Sequence, residues 1–396
     1  MAMVIEARRI FTAAAGEVLD DGVIVVDDDG RITGVGRRGE VEAPATAERF
    51  QARDQTAVPG LIDMHAHVLS GTDDETREGL TVRTITDQVL RGVNNARRCV
   101  LNGTTTIRDA GARHEGIFRF KKAIEEGWVV GPRIIPAGQA IAMSGGHGYN
   151  AVAAEADGPD EVRKLVRQQL KAGAECIKIM ATGGAGTAGE RVQDLQLTGE
   201  EIRAATEETH KKGYRTLAHV TTAEGVLLAV EAGVDCIEHG LLLDEAAARE
   251  MARRGAYYDP TLEAYERIVR LGTSAGYYDY MISKAAAVLE PHRESVRLAR
   301  AAGVRLVAGT DAGGHFWQLG DMADELARMV ECDLSPEEAL TAATRTAAEC
   351  LEREADVGTL QAGRFGDVLL VDGDPLEDIG ALKRVHAVFK GGVRLR

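Results

Sequence analysis

Short apolar segments alternate with helical patterns through the middle of this chain. Eight such segments lie between residues 60 and 313: GLIDMHAH, TTTIRDAG, PRIIPAG, CIKIMATGG, YRTLAHV, DCIEHG, AYYDPTL and VRLVAGTDAG. Intervening stretches such as DEVRKLVRQQLKAGA and TGEEIRAATEETHKKG close on glycine, as helix C-termini do. Eight βα units predict an α/β fold, a (β/α)8 TIM barrel. An open doubly wound sheet is the alternative, but its dinucleotide-binding form lacks support because no GxGxxG follows the first strand.

Both ends of the chain have a different pattern. IVVDDDGRITGVG near the start reads as a hairpin, and GTLQAGRFGDVLLVDGDPLEDI and VHAVFKGGVRLR near the end contain short strands separated by glycine and aspartate. We expect the two ends to form one small β domain together. Two independent β appendages are the alternative.

Composition excludes several classes of protein. A net charge of −15 argues against binding to nucleic acid, which requires a basic face. A membrane partner is not expected, because no run of about 18 apolar residues occurs. The five cysteines are dispersed without a CxxC pair, and the start lacks the apolar stretch of a signal peptide. We therefore expect a cytoplasmic protein with reduced thiols.

Ligand-type side chains stand at or near the ends of the predicted barrel strands. The C-terminal ends of barrel strands meet at one mouth, and histidine and carboxylate groups suit a zinc-like divalent ion. Alternation along a strand also aims both histidines of HAH the same way. Each residue alone has an ordinary explanation, such as a core histidine, an ion-paired lysine or a helix N-cap. The set together predicts a metal site: His65, His67, Lys178, His219, His239 and Asp311.

These residues carry a family resemblance. In PGLIDMHAH, IKIMATGG, LAHV, CIEHG and VAGTDAG the chain resembles the amidohydrolase superfamily over almost its full length. It is most similar to the branch with Xaa-Pro and Xaa-Arg/Lys dipeptidases, ochratoxin-type amidases and imidazolonepropionase-like proteins. The resemblance implies a barrel over residues 58–352 and a small β-sandwich domain formed by both termini, from residues 1–57 and 353–396.

The resemblance also implies a centre of two divalent metal ions, expected to be Zn²⁺. His65, His67 and Asp311 would hold the more buried ion. His219 and His239 would hold the more exposed ion.

Lys178 would bridge the two ions as a carbamate (N6-carboxylysine). A lysine in a low dielectric loses its charge readily, and its neutral amine can add carbon dioxide. A hydroxide between the ions would then attack the substrate, with Asp311 as general base and then acid. Lys178 also argues against the mononuclear deaminase-like branch, which generally lacks a bridging lysine.

Further residues are candidates for substrate contact. His147, in the glycine-rich MSGGHGYN, is expected to stabilise the carbonyl oxygen or to anchor a substrate carboxylate; a surface turn is the alternative. Tyr258 and His315 are expected substrate contacts beyond strands seven and eight. ATGGAGTAGE lacks the GK[ST] ending of a phosphate loop, so we interpret it as a mobile active-site loop. The remaining histidines are expected to be structural or on the surface: His114, His210, His292 and His386.

One position departs from the family pattern. Many relatives carry a histidine or an aromatic residue two positions after the histidine of strand five, and here that position is Thr221. The leading hypothesis is hydrolysis of an amide bond in a small-molecule substrate, a dipeptide or an N-acyl amino acid, by an enzyme that forms a homo-oligomer. Hydrolysis of carbamates, phenylureas, lactones or organophosphate esters is the alternative, because loops rather than the fold select the substrate. A metal-free scaffold is a more distant alternative.

Overall fold

A computed structural model describes residues 2–15, 17–70, 84–313 and 319–396. Within these ranges β-strands account for both the middle and the ends of the chain. They are β1 Met3–Phe11, β2 Val18–Val26, β3 Ile32–Arg37, β4 Glu48–Pro59, β5 Leu61–Ala66, β6 Thr104–Asp109, β7 Arg133–Pro136, β8 Ala140–Ala142, β9 Ala153–Glu155, β10 Cys176–Met180, β11 Arg215–Thr222, β12 Cys236–Leu242, β13 Tyr257–Asp259, β14 Arg305–Leu306, β15 Val368–Asp372, β16 Val385–Lys390 and β17 Val393–Arg394.

Helices fill the intervals between the barrel strands. Capping chemistry sets several boundaries: Thr198 and Glu201 form a capping box at the start of one helix, and Gly173 ends another with a φ of 120°. None of the described helices has the length and hydropathy of a transmembrane helix. They are α1 Ile85–Leu101, α2 Gly116–Glu125, α3 Pro159–Ala172, α4 Gly199–His210, α5 Ala223–Glu231, α6 Glu245–Arg254, α7 Leu262–Leu271, α8 Asp279–Ala286, α9 Leu289–Ala301, α10 Met322–Glu331, α11 Pro336–Ala342 and α12 Arg345–Cys350, with 3-10 turns at Gly272–Ala275 and Ile379–Lys383.

Each of the eight predicted segments contains a strand of a parallel barrel. β5, β6 and β7 pair in parallel, as do β10, β11, β12, β13 and β14. The backbone of Glu175 donates to Pro136 across the gap between β7 and β10, at 2.9 Å. The segment after β14 closes the barrel on β5, because Asp311 N donates to His65 O at 2.7 Å and Ala312 bridges Ala66 in parallel. The predicted (β/α)8 barrel is confirmed.

The two ends of the chain share one seven-stranded sheet in the order β17-β16-β15-β4-β1-β2-β3. β15 pairs antiparallel with β4, so strands from the two ends lie side by side. Their side chains also share one apolar core, in which Ile5 and Ile24 pack with Leu370 and Phe389. The predicted β-sandwich domain from both termini is confirmed, and independent appendages are excluded. β4 runs across the expected boundary between residues 57 and 58, so the domain limits themselves stay a prediction.

Candidate metal centre

A cavity of about 490 Å³ lies at the C-terminal ends of the barrel strands. The six predicted metal ligands and His147 all line it. Two of the strands extend beyond the point where the sequence suggested that they end. β11 continues three residues past His219 and β12 three residues past His239, and His239 has a φ of 70°. Asp311 has a φ of 56°, so two residues of the site have a backbone conformation that is costly for a residue with a Cβ.

His65 and His67 lie beside the same carboxylate, as their spacing predicts. His67 Nε2 lies 3.2 Å from Asp311 Oδ1 and His65 Nε2 lies 3.5 Å from the same atom. The two ring centroids are 5.4 Å apart. Although burial alone would raise it, the pKa of Asp311 is held below its usual range by the adjacent histidines and by Lys178. Asp311 is therefore an ionised carboxylate that two imidazoles approach.

Lys178 lies in the middle of β10 and is 1% exposed. Its Nζ is 3.5 Å from His65 Nε2. Burial lowers the pKa of Lys178, while the charges of Glu238 and Asp311 oppose that shift. A buried amine beside imidazoles rather than against a carboxylate fits a group that reacts as the neutral amine.

His219 and His239 complete the cluster. Their ring centroids are 4.5 Å apart, and His65 lies 5.0 Å from His239. Burial, with help from neighbouring charged groups, lowers the pKa of His219 and of His239 well below the usual value and that of His65 to about 4. These three rings are neutral at pH 7, which is the form that binds a metal. His67 differs, because Asp311 raises its pKa against the effect of burial.

In each of these four histidine rings, one nitrogen contacts a buried polar group of the protein. The opposite nitrogen then keeps a lone pair for a ligand. The contacts are His65 Nδ1 to Glu238 Oε2 at 2.7 Å, His67 Nδ1 to Gly111 O at 2.9 Å, His219 Nε2 to Gly183 O at 3.1 Å and His239 Nδ1 to Thr261 Oγ1 at 2.7 Å. Ligand atoms of His65, His239 and Asp311 also lie within 4.8 Å of one another. The donor set fits divalent metal ions.

A buried charged layer supports His65, and the sequence argument missed it. Glu238, which contacts His65, lies 2.7 Å through its other oxygen from Arg108 Nη2. Arg108 also lies 3.6 Å from Asp259 and donates to the Met64 carbonyl at 2.6 Å. Burial would raise the pKa of Glu238, but Arg108 and His65 lower it to about 2. The sequence signal that could have revealed this layer is the presence of charged residues of opposite sign inside otherwise apolar strands.

Glycine-rich loops form the outer wall of the cavity. His147 stacks on His219 with ring centroids 4.1 Å apart, and its Nδ1 contacts Glu190 Oε1. The Gly184 amide donates to the same Glu190 oxygen at 2.8 Å. A Cβ at Gly184 would overlap His147 and lie 2.8 Å from His219 Nε2, so only glycine fits there. ATGGAGTAGE is therefore a loop of the site.

Helix α8 holds this loop from the far side. Lys284 Nζ donates to the carbonyls of Gly184 at 3.1 Å and Thr187 at 2.8 Å, and the Tyr280 hydroxyl donates to Gly186 O at 3.1 Å. Sequence reasoning did not identify Glu190, Lys284 or Tyr280. Each acts through a partner that is distant along the chain.

The other two expected substrate contacts are Tyr258 and His315. Tyr258 does not line the cavity: it is fully buried, and its hydroxyl donates to the carbonyls of His239 at 2.8 Å and Gly240 at 3.1 Å. The prediction for Tyr258 is wrong because this strand residue points into the core, where it supports the backbone behind His239. Tyr265 and Tyr280, from the following helices, line the cavity instead. His315 lies outside the described residues.

Thr221, the departure from the family pattern, is also buried away from the cavity. Its hydroxyl lies 2.9 Å from Thr182 Oγ1 and donates to the Val192 carbonyl. Thr221 therefore ties β11 to the loop after β10 and presents no group to a substrate. Of the histidines expected to be structural, His292 is buried in α9, 5.5 Å from the Tyr265 ring.

Comparisons with known proteins agree with this architecture. The sequence profile described as "Amidohydrolase family" matches residues 56–395. Ochratoxinase of Aspergillus niger is 31% identical over 411 aligned positions, which cover 95% of this chain and 83% of that protein. The solved structure of a Xaa-Pro dipeptidase with methionine bound in its active site matches with a TM-score of 0.91 and 30% identity, covering 100% of this chain and 99% of that one. A prolidase complexed with N-methylphosphonate-L-proline matches with the same TM-score and coverage at 32% identity.

The match to the family profile spans the whole barrel and reaches the last strands of the terminal sheet. The resemblance drawn from the strand motifs is thereby confirmed, and the family is in general metal-dependent. The chain belongs to the amidohydrolase family and is a hydrolase that acts on C–N bonds.

Proposed function

We propose that the protein is a metal-dependent hydrolase that cleaves the amide bond of a small molecule, such as a dipeptide or an N-acyl amino acid. One observation carries the proposal. Seven side chains of ligand or hydrogen-bonding type face a single cavity: His65, His67, His147, Lys178, His219, His239 and Asp311. The relatives named as a Xaa-Pro dipeptidase and a prolidase support a peptide-like bond as the target.

The cluster divides into two halves. His65, His67 and Asp311 would hold one divalent ion, and His219 and His239 would hold the other. Zn²⁺ is the metal proposed for both, because nitrogen and oxygen donors suit it. When bound, the ions supply Lewis acidity and a water of lowered pKa.

Lys178, as a carbamate, would supply donors to both halves in this proposal. Its burial and lowered pKa favour the neutral amine. The amine nitrogen would form a C–N bond to carbon dioxide and release one proton, and the resulting carbamate anion would offer two oxygen donors in place of one nitrogen. Its Nζ already lies 3.5 Å from His65 Nε2, inside the ligand cluster.

Asp311 moves the proton. Its low pKa keeps the carboxylate ionised at pH 7, and its side chain is partly exposed to the cavity. A carboxylate in this position accepts a proton from the attacking water and passes it to the leaving nitrogen. The leaving group then departs as a neutral amine.

His147 acts on the substrate from the opposite wall. This role requires the imidazolium form of the ring, in which both nitrogens carry a hydrogen: Nδ1 donates to Glu190, and Nε2 is left to donate to the substrate carbonyl oxygen. Stabilising the charge that develops on that oxygen is the usual role of such a donor.

A substrate panel tests the proposal. Purified protein loaded with Zn²⁺ is assayed against dipeptides, N-acyl amino acids, carbamates and phosphotriesters, with metal per chain measured beside turnover. We expect release of amino acid from the first two classes and loss of that activity after chelation. Turnover of phosphotriesters or carbamates alone would contradict the assignment, and activity that survives complete metal removal would contradict the metal centre.

A further inference from the structure

The cavity contains one cationic side chain whose role is not explained by the metal centre. Among the described residues the lining includes a single carboxylate, Asp311, and a single guanidinium, Arg113. Asp311 lies against the histidine pair. Arg113 is in the short connection between β6 and α2 and is half-buried.

Arg113 forms no ion pair or hydrogen bond within the part of the chain that the structure describes. Two other half-buried arginines of the barrel do have carboxylate partners. Arg133 lies 3.0 Å from Asp367, and Arg98 lies 3.4 Å from Asp321. A guanidinium kept in a cavity without an acidic partner suits an anionic group that arrives with the ligand.

The backbone beside Arg113 is fixed on both faces of the loop. The Gly111 carbonyl contacts His67 Nδ1 at 2.9 Å, and the Ala112 amide donates to the Gly138 carbonyl at 2.8 Å. The Cα of Arg113 therefore has a set distance from the metal ligands. An anion bound there is positioned relative to the reacting bond rather than held loosely at the mouth.

Two polar side chains near the glycine-rich loop do not line the cavity and are already bonded. Thr221 is buried and bonded to Thr182, and Lys284 donates to the carbonyls of Gly184 and Thr187. The same cavity is lined by apolar surface from Ile268 and Met281. Apolar surroundings strengthen an ion pair between a guanidinium and a bound carboxylate.

We propose that Arg113 binds the free carboxylate of the substrate, an inference that rests on the proposed function. The planar guanidinium pairs with a carboxylate through two parallel hydrogen bonds. The substrate class is then dipeptides and N-acyl amino acids with an ionised C-terminus, and their C-terminal amides are poor substrates.

Arg113→Met and Arg113→Lys test this assignment, with exposed Arg119→Met of α2 as the matched control. Turnover is measured by release of acetate from N-acetyl-L-leucine, N-acetyl-L-phenylalanine and the corresponding carboxamides. Charged hydrogen bonds contribute about 1.5–3 kcal/mol, so we expect Arg113→Met to lower kcat/KM for the acids roughly 10- to 100-fold, mainly through KM. Values for the carboxamides should not change, and Arg113→Lys should recover part of the loss for the acids.

Binding of product separates this assignment from the reaction itself. Calorimetric titration with L-leucine and with L-leucinamide is expected to show tighter binding of the acid by the wild type and loss of that preference in Arg113→Met. Equal binding of acid and amide by the wild type, or an equal loss of both in the variant, would overturn the role of Arg113. Failure of the wild type to cleave any acyl compound while it still prefers the acid would instead contradict the proposed function.

Discussion

The ligand cluster and the wall facing it are built in different ways. The ligand cluster, meaning the candidate ligands His65, His67, Lys178, His219, His239 and Asp311, lies on strands or within five residues after one, and each histidine is held from behind by a buried group. The wall, meaning residues 143–152 and 183–190, is loop held by a few long-range contacts such as Glu190 to His147. Rigid strands suit ions, which tolerate little displacement, whereas loops let the substrate pocket change without disturbing the ligands.

Variants of the two regions should lose different properties, and this tests the difference between the regions. Variants of the ligand cluster should lose metal. Variants of the wall should keep metal and lose transition-state stabilisation or selectivity.

Lys178→Ala should have the largest effect. In the proposed centre, removal of the bridge would leave His219 and His239 alone on the outer ion, and the two cations would repel each other without a shared anion. We expect that ion to be lost first and activity to fall by several orders of magnitude, with the circular dichroism of the barrel retained. Metal per chain and turnover are measured beside Lys171→Ala, an exposed lysine of α3.

Propionate added to Lys178→Ala should restore part of the activity by filling the vacated space with a carboxylate. Two tightly held ions with normal turnover in this variant would rule out the carbamate bridge. Lys178 would then be a structural residue of β10.

Asp311→Asn separates ligation from proton transfer within the ligand cluster. The amide oxygen can still coordinate weakly, so much of the metal should remain, but Asn cannot carry a proton. General acid–base catalysis contributes about 10²- to 10⁴-fold, and we expect a loss of turnover of that size. Asp160→Asn, fully exposed on α3, is the control. A pH–rate profile like that of the wild type would mean that another group moves the proton.

His147→Ala tests the wall. Metal content should stay near two ions per chain, while kcat/KM falls about 10²- to 10³-fold, the usual cost of losing one oxyanion donor. The exposed His114→Ala serves for comparison. Loss of metal from His147→Ala would move this residue into the ligand cluster, and unchanged kinetics would remove it from the reaction.

Glu238→Gln weakens the support of a ligand without touching the ligands themselves. The amide loses the charge that faces His65 at 2.7 Å and leaves Arg108 without its nearest carboxylate. Loss of such outer partners typically lowers metal affinity about 10- to 100-fold. Competition with a chelator measures this, with Glu207→Gln on the surface of α4 as the reference. Unchanged affinity would show that Glu238 stabilises only the barrel.

Tyr258→Phe should have the smallest effect on the reaction. Among the described residues its hydroxyl bonds only to the carbonyls of His239 and Gly240, so its loss should reduce the free energy of unfolding by about 1 kcal/mol. KM should stay unchanged, in contrast to a substrate contact. Denaturant unfolding and steady-state kinetics are compared with Tyr214→Phe, and a raised KM with normal stability would reinstate Tyr258 as a substrate residue.

The sequence by itself determined the barrel, its terminal β domain and the ligand candidates. These features repeat locally: an apolar strand, a polar residue near its end, a helix that closes on glycine. The alternation of side chains along a strand is enough to point both histidine rings of HAH the same way. In CIKIM the lysine lies inside an apolar strand, where burial is expected.

Only the tertiary structure decided how those side chains are held and what faces them. Arg108 meets Glu238 across 130 positions of the chain, and Gly184 has no room for a Cβ because His147, from another loop, lies against it. Tyr258, expected at the substrate, points into the core, whereas Arg113, which the sequence argument did not identify, lines the cavity. Such contacts form when the barrel closes and brings separate strands and loops together, and no local pattern encodes a partner that distant.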